Sequence, residues 1–479
     1  MYQVPFDVPH MTYGEAVLAL KGALRFGIQP MLESVQDMLA ELGDPDLRFR
    51  SLQIAGTNGK TSTSRYTAAI LGGEGLRTAL YTSPELVSYA ERMEVDGHPI
   101  PEEEFAYGVS AAIVAGRRVN ARRKAVGERP YDITEFDTLT VAAMVAYARA
   151  GVDVAVLECG MGGRWDATSA CRSIESVAVT GVGLDHCRIL GDTLEKISAE
   201  KAAIIRRGRS CVLGVGTATP DSVEDVFLDR CREQGVTPTL LRPEVLSDAE
   251  GELHPGVPRA HEGLPHASYR ITARPPRLGF PLELTVTTPR ATYPELAALK
   301  PAYQAANVAC AVTLAESFLG RVLDGEALYQ SVVTCPTPGR FQLLRPQPPL
   351  LIDACHNPQS VQTFLTAVRD VEPEVAGRPT LLAAVLADKD VDGIVSLLAH
   401  EFPRVACTQT SSPRALQAEA LSEAFRAAGA NVVATYPTVR EALDALCGDS
   451  VVACGSITLA GEVAAEAGWS SATMSRAMD

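Results

Sequence analysis

No Cys-x-x-Cys pair occurs anywhere in this chain, although it has eleven cysteines, which stand singly from Cys159 to Cys454. Zinc clusters and redox dithiols are built on closely spaced pairs, and a disulfide framework normally uses an even set, so the cysteines read as small core residues. A basic stripe is also missing, and the net charge is -15 over 479 residues, which argues against a nucleic-acid partner. The one local cluster, Arg117, Arg118, Arg122, Arg123 and Lys124, follows an apolar helical pattern and reads as a solvated helix end. Nowhere does the chain reach the roughly 18 uninterrupted apolar residues that a membrane helix requires. Met1 to His10 lacks a charged start followed by an apolar run. A cytoplasmic protein with no membrane partner is therefore expected. Repeats of solenoid length are absent, and Met474 to Asp479 reads as an unstructured tail.

The length exceeds what one core usually serves, and two domains are expected. From about residue 46 to 215, β-rich runs alternate with helical patterns, the signature of a parallel sheet covered by helices. Strands are expected at Ser51–Ala55, Thr78–Thr82, Val152–Glu158, Ser176–Val182 and Ser210–Val215. Residues 236–300 are proline-rich with alternating patches and read as a peripheral β element or insertion. A helical pattern over Ala302–Phe318 leads into a second alternating region. Its strands are expected at Leu350–Asp353, Thr380–Leu386, Arg404–Thr410, Asn431–Thr435 and Ser450–Cys454. The fold class is thus α/β: a parallel-sheet domain over 1–298 containing a phosphate loop, then a smaller Rossmann-like domain over 299–479.

Gly56-Thr57-Asn58-Gly59-Lys60-Thr61-Ser62 lies where the first strand should end and a helix begin. Small residues there let backbone N–H groups close round phosphate oxygens. Lys60 neutralises charge on the outer phosphates, and the Thr61 or Ser62 hydroxyl can reach a magnesium ion. An ordinary glycine turn would explain Gly56 and Gly59 but not Lys60-Thr61 at the helix start. The sequence departs from the full eight-residue Walker pattern, which has glycine where Ile54 stands.

Other polar residues also follow strands, and in open α/β sheets ligands bind beyond the carboxyl ends of strands. Glu158 ends a buried apolar run opposite the phosphate loop, the place of a magnesium-directed acid. His186 follows the adjacent strand. Lys201 falls on the apolar stripe of Leu194, Ile197 and Ile204, where lysine rarely serves packing, so a reactive, modified or metal-organising lysine competes with a snorkelling one. In the second domain, Asp353 ends a strand and His356 starts a helix near Gln359. Arg340, after Gly339, is a cation suited to clamping phosphate or carboxylate.

In this order these residues resemble the folylpolyglutamate synthase and dihydrofolate synthase family of the Mur ligase superfamily, over most of the chain. The phosphate loop is of the shorter kind found in that superfamily. Further marks are Tyr81-Thr82-Ser83-Pro84, Glu91-Arg92, Leu157-Glu158, Gly160 to Thr168, Leu184-Asp185-His186, Lys201-Ala202, Gln304 with Asn307, Pro338-Gly339-Arg340, Asp353 with His356-Asn357-Pro358, Asp388-Lys389-Asp390, Ser412 to Ala415 and Gly455-Ser456. The resemblance implies an ATP-dependent ligase in which a substrate carboxylate attacks the γ-phosphate and the acyl phosphate is captured by an amino acid, usually L-glutamate. By resemblance, Gly56 to Ser62 hold the phosphates of ATP, and Ser83, Glu158 and His186 hold Mg²⁺. Lys201 matches the lysine that is carbamylated in the superfamily. Asn307, Arg340 and Asp353 match nucleotide contacts, His356 and Ser456 lie near the incoming amino acid, and Phe136, Asp166 and Ser169 lie toward the carboxylate acceptor. Lys60, Lys201 and His356 are the expected catalytic set.

The chain departs from the family at Glu85, where histidine is usual, at Asp137 for glutamate, at Ser169 for asparagine, at Ala203 for glycine, at Tyr303 for histidine and at Cys355 for alanine. Phosphate and metal positions are kept. Several departures fall on loops that face the pterin-bearing substrate in the family. An acceptor other than pteroate or folate is therefore a second expectation, and a nucleotide-binding regulator without catalysis a third.

Overall fold

Val154 to Glu158 is buried along its whole length, and so is every position from Ser51 to Ala55. Unbroken buried runs mean that both faces of a strand are covered, the condition of a parallel sheet with helices on each side. The computed structural model describes residues 2–23, 31–247, 253–255, 263–275, 278 and 280–469. The tail from Met474 to Asp479 lies outside them.

The chain forms two units, one of Met1–Arg270, Thr285–Leu296 and Ala306–Cys335, the other of Ile271–Leu284, Ala297–Ala305 and Pro336–Asp479. In the first, β1 (Arg50–Ala55), β2 (Thr78–Tyr81), β3 (Met93–Val95), β4 (His98–Pro99), β5 (Val154–Glu158), β6 (Ile174–Gly181), β7 (Ser210–Gly216) and β8 (Pro238–Pro243) lie in the order β8-β7-β6-β1-β5-β2-β3-β4. From β8 to β2 every pairing is parallel. β3 and β4 add an antiparallel edge. β1 is central, so the loop that follows it opens between those after β5 and β6.

The five expected strands of this region coincide with β1, β2, β5, β6 and β7 to within two residues. The peripheral reading of residues 236–300 needs one correction: β8 pairs parallel with β7 and extends the main sheet. Beyond it, β9 (Val245–Ser247) and β10 (Leu253–Pro255) form a separate antiparallel pair. β11 (His266–Ala273), β12 (Leu282–Thr287) and β13 (Thr292–Ala298) continue the sheet past β8.

The second unit has six strands among the described residues, β14 (Gln342–Pro346), β15 (Pro349–Ile352), β16 (Thr380–Ala383), β17 (Val405–Cys407), β18 (Val432–Thr435) and β19 (Val451–Cys454), in the order β14-β15-β19-β16-β17-β18. All pair parallel except β14, an antiparallel edge that the sequence pattern did not reveal. β16 is three residues shorter than expected because the chain leaves the ladder after Ala383. Leu386 bridges to Ala415, and Leu416 N–H donates to the Val385 carbonyl.

Each unit has its own apolar core. In the first, Arg65 of the helix Lys60–Gly73 meets Glu94 of β3 at 2.5 and 3.2 Å, with both side chains buried. Breaking such a pair strands a charge. It therefore anchors the helix that carries the phosphate loop to the sheet edge. Among the described residues, no helix is long and apolar enough to cross a membrane.

Candidate active site

Helices of this chain usually begin with a side-chain cap, as at Thr12, Thr134, Thr193, Asn357 and Ser456. The helix Lys60–Gly73 begins instead at Gly59, with φ +83° and no side-chain cap. Its first-turn N–H groups and its dipole are thus directed at whatever lies in the loop, an arrangement that favours an anion.

The loop has no room for larger residues. A Cβ at Gly56 would lie 1.9 Å from Thr180 Oγ1, and one at Gly59 would lie 2.5 Å from Asn307 Oδ1. Thr180 in turn donates to the Asn58 carbonyl at 2.6 Å, while Thr57 exchanges hydrogen bonds with the backbone of Gly181 and Gly183. The expected contact residue Asn307 is thus placed against the loop from the helix Gln304–Leu319. Lys60 Nζ donates to the Thr57 carbonyl at 3.0 Å and is only partly buried, so it can turn to a phosphate at little cost.

Glu158 is buried, and its Oε1 accepts from Thr61 Oγ1 at 2.9 Å. A hydroxyl and a carboxylate already in contact beside a phosphate loop are the usual protein share of a magnesium site, in which phosphate and water supply the other ligands. Among the described residues, no three His, Cys, Asp or Glu side chains are grouped to hold a metal by themselves. Ser83 and His186 lie past the carboxyl ends of β2 and β6, on the same edge of the sheet as Glu158. His186 is exposed, with φ +52°. Glu158→Gln keeps the shape and removes the charge. It is expected to lower turnover about 10²-fold, with partial recovery at raised Mg²⁺, a comparison made by titrating the metal against the steady-state rate.

Lys201 is 3% exposed, and its Nζ donates to the Gly56 carbonyl at 2.8 Å. Burial, and then repulsion from Lys60, push its ammonium down to about 7. Near neutral pH it therefore spends much of its time as a free amine, which is a nucleophile. Its helix, Leu194–Ala202, is pressed against the loop after β5. A Cβ at Gly163 would lie 2.8 Å from Ile204 and 3.0 Å from the Glu200 carbonyl.

That loop also carries Asp166 and Ser169, and Phe136, the third residue expected on the acceptor side, meets it from the helix Glu135–Ala150. Phe136 lies over Gly160, where an added Cβ would be 2.6 Å from the ring, and its centroid is 5.9 Å from that of Tyr81. Asp166 accepts from Met161 N–H at 2.9 Å and from Thr168 N–H at 3.0 Å, and burial raises its carboxyl above the ordinary range. Ser169 donates to the Gly163 carbonyl at 2.6 Å and accepts from Gln53 Nε2 at 2.8 Å. These bonds make Asp166 and Ser169 the internal frame of the loop. Gln53 and Thr180 were missed in the sequence. Both lie on strands leading into the site, and the strand-end rule alone would have picked out Thr180.

In the second unit, Asp353 is buried at the end of β15. Its carboxylate accepts from Phe341 N–H at 2.8 Å, Cys355 N–H at 2.9 Å and the Tyr303 hydroxyl at 3.4 Å. Burial raises its carboxyl, and nearby Arg340 works in the opposite direction. Arg340 is itself held from below, since Lys300 Nζ donates to its carbonyl at 3.0 Å. His356 Nδ1 is 2.9 Å from the Ala354 carbonyl. A carbonyl only accepts, so Nδ1 carries the proton in this contact. The Ser456 hydroxyl is buried and accepts from Leu459 N–H at 2.9 Å as a helix cap, which leaves its own proton for another acceptor. Tyr303, noted in the sequence as a departure, thus supports Asp353, and Lys300 is a supporting residue that the sequence pattern did not single out.

A parallel sheet with a phosphate loop, followed by a smaller α/β unit, defines a Mur-type ligase architecture, and family models agree. Residues 54–218 match the Mur ligase middle domain, and residues 339–457 match the Mur ligase glutamate ligase domain. A dihydrofolate synthase/folylpolyglutamate synthase of Mycobacterium tuberculosis is 33% identical over 426 residues, covering 87% of this chain and 82% of the relative. A probable bifunctional folylpolyglutamate synthase/dihydropteroate synthase of Haloferax volcanii is 33% identical over 434 residues, and the chain spans about half of it, 47%. The solved structure of M. tuberculosis folylpolyglutamate synthase complexed with ADP superposes with a TM-score of 0.82 at 28% identity, covering 96% of this chain and 98% of that one. A bifunctional folylpolyglutamate synthase/dihydrofolate synthase solved with Mn, AMPPNP and L-glutamate gives 0.74 at 25% identity, covering 96% and 99%. The chain belongs to the folylpolyglutamate synthase/dihydrofolate synthase family of Mur ligases.

Proposed function

We propose that this protein is an ATP- and Mg²⁺-dependent carbon–nitrogen ligase that joins L-glutamate to the carboxylate of a pteroate or folate. The observation that carries the reading is Lys201, a buried amine hydrogen-bonded to the Gly56 carbonyl of the phosphate loop, whose Thr61 is already on Glu158. A non-catalytic regulator would have no use for such an amine. The relatives named above include pteroate- and folate-directed enzymes and lend no support to an unrelated acid as acceptor.

In the reaction, the acceptor carboxylate attacks the γ-phosphorus and ADP leaves. The glutamate amine then displaces phosphate from the acyl carbon, losing a proton. Gly56 to Ser62 cradle the phosphates, Lys60 offsets the repulsion between anions there, and Arg340 serves as a nucleotide contact of the second unit. Glu158, Ser83 and His186 would hold Mg²⁺, which when bound neutralises phosphate charge. Lys201 as a carbamate would give an anion beside that site. Asn307 and Asp353 contact the nucleotide, and Phe136, Asp166 and Ser169 shape the acceptor side. His356 Nε2 and the Ser456 hydroxyl face the incoming amino acid. On this reading the enzyme works in the cytoplasm, where ATP is supplied.

The test is ADP release by the purified protein with dihydropteroate, tetrahydrofolate or a small aromatic acid, each with and without glutamate. Glutamate-dependent release with either of the first two is expected. Release with the aromatic acid alone, or with none, overturns the reading.

A further inference from the structure

The loop after β2 contains a charge pair that the mechanism leaves unused. Glu85 Oε2 accepts from Arg92 Nε and Nη2, each at 2.5 Å, and the two side chains are 22% and 11% exposed. Arg92 also lies over the Tyr89 ring, 5.1 Å from its centroid, and the Tyr89 hydroxyl donates to Glu135 Oε1 at 2.8 Å. Glu135 is the chain neighbour of Phe136, whose ring covers Gly160 and packs on Tyr81. A continuous line of contacts thus runs from Glu85 to the acceptor-side aromatic residue. The loop itself is stiff: Glu91 Oε2 accepts from Leu86 and Val87 N–H at 3.1 Å, and Oε1 from Ser88 N–H at 3.0 Å.

A guanidinium on the rim of an acceptor site is a ready partner for a carboxylate, and a carboxylate from the protein itself competes for that place. We infer that Glu85 is a specificity-determining residue: by occupying Arg92 as a substrate carboxylate would, it favours an acceptor with a single carboxylate over one that already bears a glutamyl group. The inference rests on the proposed function and names the acceptor class within it. An acceptor bringing a second carboxylate must displace Glu85 and leave it unpaired in a half-buried place, or forgo Arg92 altogether. Either costs binding in the transition state for the extended acceptor only.

Steady-state kinetics of wild type, Glu85→Gln and the double variant Glu85→Gln/Arg92→Gln, with dihydropteroate and with tetrahydrofolate, test this. Glu85→Gln is expected to raise the kcat/KM ratio of tetrahydrofolate to dihydropteroate about tenfold, mostly through KM for tetrahydrofolate, with KM for ATP unchanged. In the double variant the gain should vanish. A ratio within twofold of wild type, or an equal fall for both acceptors, overturns the inference while the ligase reading stands. Should Glu85→Gln not fold, Glu85→Ser carries the same comparison, and failure of both to fold makes the pair a structural tie and ends the proposal. A wild-type enzyme without glutamate-dependent ADP release ends the ligase reading and this inference together.

Discussion

Lys60→Ala is expected to lower ligation by about 10²–10³-fold or more while moving the melting temperature by no more than about 2 °C. The side chain makes one hydrogen bond, to the Thr57 carbonyl at 3.0 Å, and stands partly exposed at a helix start. Truncations of that kind cost little stability. On the proposed function its work is done on bound phosphate, so kcat with saturating ATP should carry most of the loss. A second effect follows from the repulsion that Lys60 exerts on Lys201. Without that cation the Lys201 ammonium should titrate at higher pH, which NMR of a labelled lysine side chain would detect. Activity close to wild type would remove the phosphate-loop assignment.

Lys201→Ala is expected to cut activity by a similar factor, and added formate or acetate should restore part of it. For a carbamate to form, the neutral amine nitrogen bonds to the carbon of CO₂, a proton leaves to solvent, and a carboxylate remains where a cation had been. The depressed value of about 7 makes the neutral amine available near physiological pH. A short carboxylic acid can enter the space left by alanine and supply the lost anion. Protein equilibrated with ¹³C-labelled CO₂ should show a carbamate carbon resonance that is absent from the variant. Neither a resonance nor rescue would leave Lys201 as a packing residue. The unmodified lysine also predicts a sign for stability. Between about pH 7 and the ordinary lysine value of 10.5 the unfolded chain holds a proton that the folded one lacks, so stability should climb with pH across that window. In Lys201→Ala this climb should be missing.

Legibility in the sequence followed the physics of each element. The parallel strands could be read because burial on both faces forces unbroken apolar runs, as in Val154 to Leu157. Strand ends in the second unit were less legible, since Ala384 to Leu386 are as apolar as the strand before them and only the bridge to Ala415 takes them out of the ladder. β8 was hidden by its flanking prolines, Pro238 and Pro243. Among site residues, Lys60, Glu158 and Lys201 stood out because charge at a strand end, a helix start or on an apolar stripe needs a reason. Thr180 and Gln53 did not, because a small polar residue within a strand is commonplace until its partner is known. The Glu85–Arg92 pair combines a departure with a family mark, and only geometry joined them.

The contact between Gly59 and Asn307 has a consequence for how the protein is made. The phosphate loop leaves the ribosome early, but the residue that closes on it comes almost 250 positions later, and Ser331, on the following helix, approaches Gly73 so closely that a Cβ there would lie 2.2 Å from its hydroxyl. At ordinary elongation rates the nascent chain spends on the order of 10–60 s with its loop translated and its closing helices not yet made. During that interval the apolar surface of the helix Lys60–Gly73 has no native cover on that side. Chaperone capture should therefore peak on nascent chains that end before about residue 335 and fall away on longer ones.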